Sequence, residues 1–105
     1  MKILLDTHIL LALLKGNLDS RYPAISEIMR GPAAQTFVSV ASFWEIAIKT
    51  RLGKLDPGMP LERIAGFCDI SRLDILQINV THAITAASPV PRTRDPFDRL
   101  LLAQC

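Results

Sequence analysis

The sequence predicts an α/β domain of three layers, α/β/α, around a mostly parallel sheet. Short apolar runs, Ile3 to Leu5, Gln35 to Val40 and Leu73 to Val80, alternate with stretches whose apolar residues recur at helical spacing. The second run passes directly into a helix, as a βα unit does, and regular alternation of strands and helices favours parallel strands joined by right-handed crossovers. The 105 residues allow one domain, 1–105, large enough to bury about two thirds of its unfolded surface.

Taken in order, Lys2 to Leu5 reads as a short buried strand. Ile9, Leu10, Leu13 and Leu14 then mark a helix that Gly16 and Asn17 stop. Ser20 to Arg30 is a weaker helix with Ile25, Ile28 and Met29 on one side, closed by Gly31-Pro32. Gln35 to Val40 is the second strand, followed by a helix from Ser42 to about Leu52 that ends at Gly53. Asp56-Pro57-Gly58 is a turn, and Pro60 to Asp69 is a helix with Leu61, Ile64, Ala65 and Cys68 facing in. Leu73 to Val80 is the third strand, followed by a short helix from Thr81 to Ala87. Ser88 to Arg94 is a proline-containing basic loop, and Asp95 starts a last helix carrying Phe97, Leu100, Leu101 and Leu102. No internal repeat or low-complexity segment interrupts this order.

Composition narrows the function classes. Half the residues are hydrophobic and 21% are charged, which is globular rather than disordered composition. The net charge of +2 does not by itself mark a nucleic-acid binder. Asp6 and His8 interrupt the apolar N-terminus, which lacks the charged region and cleavage site of a signal peptide. No run approaches the ~20 apolar residues of a membrane span. Cys68 and Cys105 fit neither a metal spacing nor a disulfide framework, so a reduced, cytoplasmic setting is expected.

Asp6, Glu45 and Asp98 each stand where an apolar run gives way to a helix start. If the runs are parallel strands side by side, their carboxyl ends open on one crevice and the three carboxylates meet there. Such a cluster raises its members' pKa values unless a cation separates them, and a divalent metal is the natural occupant. Each acid also has a capping explanation. Ser42 and Glu45 match a capping box, Asp95-Pro96 is an N-cap followed by a first-turn proline with Asp98 behind it, and Asp6 can cap the helix near His8. The metal reading is preferred because Asp6 ends a strand of Ile and Leu, where a carboxylate is expected to be poorly solvated and a Ser or Thr would cap at lower cost. His8 reads as a helix-start residue and His82 as surface. Oxygen-only ligation points to Mg²⁺ or Mn²⁺.

Arg92, Arg94 and Arg99 bracket Asp95 and Asp98, and read either as a charge-balanced loop or as phosphate ligands. Lys49, Arg51 and Lys54 form a second basic group. Phe43 and Trp44 are core or pairing surface, and with a sheet edge open to pairing they lead us to expect a homodimer or larger assembly.

LLDTHILLALL, SVASFWEIAIKTRLGKL and RDPFDRLLLAQ, in this order and over nearly the whole chain, resemble the signature segments of PIN-domain proteins, specifically VapC-type toxins of bacterial toxin–antitoxin pairs. The resemblance implies a metal-dependent endoribonuclease acting on RNA, restrained by a small VapB-like antitoxin. It matches Asp6, Glu45 and Asp98 to the metal-binding acids and Asp95 to an accessory catalytic acid. Thr7 matches the hydroxyl residue that supports the first Asp at the substrate site, and Ser39 a polar position closing the second strand. There are departures: Thr93 stands where relatives often carry a His, and relatives continue into a further strand and a Thr-x-Asp-like segment with a fourth acid. The expectation is therefore a PIN-like domain shortened at its C-terminus and lacking its last strand. A catalytically impaired PIN-like binding module that keeps antitoxin or dimer contacts is the alternative. A receiver-like nucleotide regulator is disfavoured, as there is no glycine-rich phosphate loop.

Overall fold

The computed structural model describes residues 2–86 and residue 104. Strand β1 (Lys2–Leu5) leads through Asp6 into α1 (Thr7–Leu14), followed by α2 (Leu18–Arg21) and α3 (Pro23–Met29). Strand β2 (Gln35–Ser39) joins α4 (Val40–Arg51) without a loop. A 3₁₀ turn (Leu61–Arg63) runs into α5 (Ile64–Ile70), and β3 (Asp74–Leu76) precedes α6 (Val80–Ala86). The strands form one sheet in the order β1-β2-β3, with both pairings parallel, so the helix-rich α/β class is as expected.

Leu5, Leu10, Leu14, Val38, Ile46, Ile64, Cys68 and Leu73 form the buried core. The strands bury their inner residues beneath the helices, Leu5 of β1 and Thr36, Val38 and Ser39 of β2. Burial pushes the Cys68 thiol pKa up, which keeps it protonated and inert.

Several boundaries move from their sequence positions, each for a local reason. The expected Ser20–Arg30 helix is two helices, because Pro23 has no N–H to donate and forces Tyr22 out of helical geometry, to φ −134° and ψ 62°. In α3 it is Ser26, not Ile28, that is buried. Its hydroxyl donates to Asp19, which also pairs with Arg30 at 2.6 Å. In α5 Phe67 packs against the core while Ala65 faces solvent. The third strand shortens to three residues because its ladder ends where β2 does: Ser39 pairs with Leu76, and β2 offers nothing beyond. Val80 accordingly starts α6 instead of ending a strand.

Helix ends follow a common device. After α1, Gly16 at φ +74° lets Asn17 N–H reach Ala12 O at 3.0 Å, and after α4, Gly53 at φ +72° lets Lys54 N–H reach Lys49 O at 2.9 Å. After α5 the same bond, Leu73 N–H to Cys68 O at 2.9 Å, turns on Arg72 at φ +59°, a conformation that costs a side-chain-bearing residue energy.

Arg72→Gly should therefore raise stability by roughly 0.5–1 kcal/mol, the relieved strain exceeding the glycine's entropy cost. Leu10→Ala, at a fully buried position, should lower it by about 2–5 kcal/mol. Urea denaturation of the two variants checks both. The Ser26 hydroxyl first, and the Arg30 charge after it, hold the Asp19 carboxyl below its ordinary pKa. A depressed folded pKa contributes stability that is present above the free-Asp range and lost as pH falls through the folded value. Asp19→Asn should flatten that part of the acid limb of a stability–pH curve.

Candidate functional site

The parallel register decides which residues meet at the carboxyl edge of the sheet. Leu5 pairs with Val38, so Asp6 and Ser39 are the next residues on neighbouring strands. Both turn the chain into a helix. Asp6 Oδ1 accepts from Ile9 N–H at 2.8 Å, and Ser39 Oγ accepts from Ala41 N–H at 3.0 Å. Asp6 is exposed, not poorly solvated, because it leaves the ladder one residue beyond the last pair.

The helix that carries Glu45 thus starts earlier than the expected Ser42. Ser39 is its cap, and the Ser42–Glu45 capping box does not form. Those two residues instead face the interior a turn further along, Ser42 fully buried and Glu45 5% exposed. The Glu45 carboxylate is shared between two donors. Thr7 Oγ1 donates to Oε1 at 2.6 Å, and Lys49 Nζ donates to Oε2 at 2.5 Å. Thr7 Oγ1 also lies 3.1 Å from Ser42 Oγ. A hydroxyl has one proton, so with Thr7's spent on the carboxylate, Ser42 donates to Thr7. The resulting order is Ser42 to Thr7 to Glu45.

Thr7, expected to support Asp6 and to meet substrate, is therefore buried and turned onto Glu45. Through it the second acid is tied to the residue next to the first. The sequence reading missed Lys49 as the partner of Glu45, although an acid followed four residues later by a lysine is a recognisable helical pair. It also missed Gln104, which accepts from the Ser39 hydroxyl and donates to Gln77 O at 3.2 Å, bridging the ends of β2 and β3. His82 is half-buried and caps α6: its Nδ1 accepts from Asn79 N–H at 3.2 Å while Asn79 Oδ1 accepts from His82 N–H at 2.8 Å.

Asp95, Asp98, Arg92, Arg94 and Arg99 lie outside the described residues. Among the described residues no three His, Cys, Asp or Glu side chains gather into a metal-binding group. The donor chemistry of Asp6 and Glu45 nevertheless suits a divalent cation: both are hard carboxylate oxygens. The ammonium drawn against the buried Glu45 shows that this carboxylate is balanced by positive charge.

Fold and edge together define an α/β domain in which successive βα units open on one carboxyl edge, the usual position of sites in parallel sheets. The family follows from comparison: the PIN domain model matches residues 3–105, and the chain belongs to the PIN domain family. PIN domains are generally nucleases, and they commonly use divalent metal ions. Comparison with curated proteins and with solved structures yields no match.

Thr7→Val leaves Glu45 Oε1 buried without its donor and should cost about 1–3 kcal/mol in urea denaturation. Thr7→Ser, which keeps the hydroxyl, should recover most of that loss.

Proposed function

We propose that this chain is a Mg²⁺- or Mn²⁺-dependent endoribonuclease of the VapC toxin type, hydrolysing RNA phosphodiester bonds and restrained by a VapB-like antitoxin. The observation that carries the proposal is the buried Thr7–Glu45 hydrogen bond, which ties the acid on α4 to the residue after Asp6. Family membership and the order of the three signature segments point the same way.

In this reading Asp6, Glu45 and Asp98 hold the cation, with Asp95 as an accessory acid. A divalent cation held there would supply positive charge to offset that on the phosphoryl oxygens and would make water easier to deprotonate. The chain's own residues position and balance charge. Thr7 fixes the Glu45 carboxylate in one rotamer, and Ser42 fixes Thr7. Arg92, Arg94 and Arg99 are assigned to the substrate's phosphates, where a planar guanidinium fork fits two oxygens at once. Hydrolysis by direct attack of water, with a 3′-hydroxyl leaving, asks for no nucleophilic side chain. The hydroxyls of Thr7 and Ser42 are buried and engaged.

The association proposed with this activity is a homodimer. Trp44, 54% exposed on the helix that holds Glu45, supports an apolar contact on the outer side of α4.

The test is cleavage of single-stranded RNA with and without Mg²⁺. Asp6→Asn and Glu45→Gln should each reduce the metal-dependent rate by more than the roughly 10- to 100-fold that outer-shell changes cost at metal sites. Cleavage that survives chelation, or that both variants retain, overturns the reading. Metal-induced stabilisation without cleavage would favour the impaired binding module.

A further inference from the structure

We propose that Lys49 is an internal competitor for the cation at Glu45, balancing the buried carboxylate in the metal-free protein and withdrawing when a divalent cation binds. The inference rests on the metal reading above and adds a residue that sets metal affinity.

Glu45 is 5% exposed on the interior face of α4, between the fully buried Ser42 and Ile46. A carboxylate in that position needs positive charge as well as hydrogen bonds. Thr7 contributes one neutral donor to Oε1. Lys49, one helical turn onward, contributes the charge, with Nζ 2.5 Å from Oε2. The pair is asymmetric: the Glu45 side chain is 6% exposed and the Lys49 side chain 37%. The acid is held at both oxygens inside the fold, whereas the lysine is part-exposed on a flexible four-carbon stem.

Oxygen Oε2 cannot serve both cations well. A divalent ion held by Glu45 would share that carboxylate with the ammonium, and like charges brought that close beneath a protein surface repel strongly. Lys49 must therefore give up Oε2 as the carboxylate passes to the metal, and breaking the pair subtracts from the binding energy. The same contact protects the metal-free fold from an unbalanced buried charge. Lys49 thus lowers metal affinity and raises metal-free stability together. A residue that only held Glu45 in place for the metal would raise both.

The experiment is a calorimetric titration of the full chain with Mn²⁺ at fixed ionic strength, paired with thermal melting before and after saturation. Wild type, Lys49→Met, Lys49→Gln and Lys49→Arg are compared. The two neutral variants should bind Mn²⁺ roughly three- to tenfold more tightly. They should melt lower without metal and gain more on adding it, whereas Lys49→Arg stays near wild type. Lys49→Gln guards against an apolar substitution that fails to fold. Unchanged or weaker Mn²⁺ binding by the neutral variants overturns the role of Lys49 and leaves the metal reading standing. Binding by the variants but not by wild type supports the role in its strongest form. Absence of binding by every protein removes the metal reading, and this inference with it.

Discussion

Because Leu5 and Val38 are partners in a parallel ladder, the chain leaves β1 and β2 at the same edge of the sheet and enters two helices side by side. Thr7, Ser39 and, further along α4, Ser42 and Glu45 owe their proximity to that pairing. Shifting the register by one residue would exchange the two faces of β2 and drive Val38 out of the core. It would also move the start of α4 and carry Glu45 away from Thr7. The core and the site are consequences of one alignment, and neither can be altered alone.

Helix α4 shows how a single element serves two demands. Its inner side carries Ala41, Ser42, Glu45 and Ile46, a mixture of apolar and polar groups in which every charge has a near partner. Its outer side exposes Trp44 and Arg51. A buried acid in a core helix is costly unless fully satisfied. Here a hydroxyl approaches from α1 and an ammonium from the same helix. The polar inset sits at the end of the sheet, where it interrupts no apolar layer.

The sequence revealed the order and type of nearly every described element, since apolar runs and helical periods carry that information directly. The joints were less legible. Nothing in the run QTFVSVAS tells a strand ending at Val40 from one ending at Ser39, because Ser39 and Ser42 are equally good caps and only tertiary packing chose the first. The break at Tyr22 was readable in Pro23 but was outweighed by the apolar spacing around it. At the candidate site, the solvation of the acids was not legible. Asp6 looked poorly solvated from its neighbours and is exposed, while Glu45, which also matched a capping box, is buried and makes no cap. Exposure depends on what the next strand and helix cover, and that is fixed by contacts far apart in sequence.

That distance has a consequence for synthesis. The Thr7–Glu45 bond joins positions 38 apart, and the β1–β2 ladder spans nearly as many. Parallel strands cannot pair through a local hairpin, so β1 has to wait for its partner while the ribosome adds some thirty residues at roughly 5–20 per second. For a second or more the nascent chain displays Asp6 on a first βα unit with no sheet to lean on and no second acid beside it. The carboxyl edge comes into being only after α4 has emerged, and until then the growing polypeptide carries the ingredients of a site without the site itself.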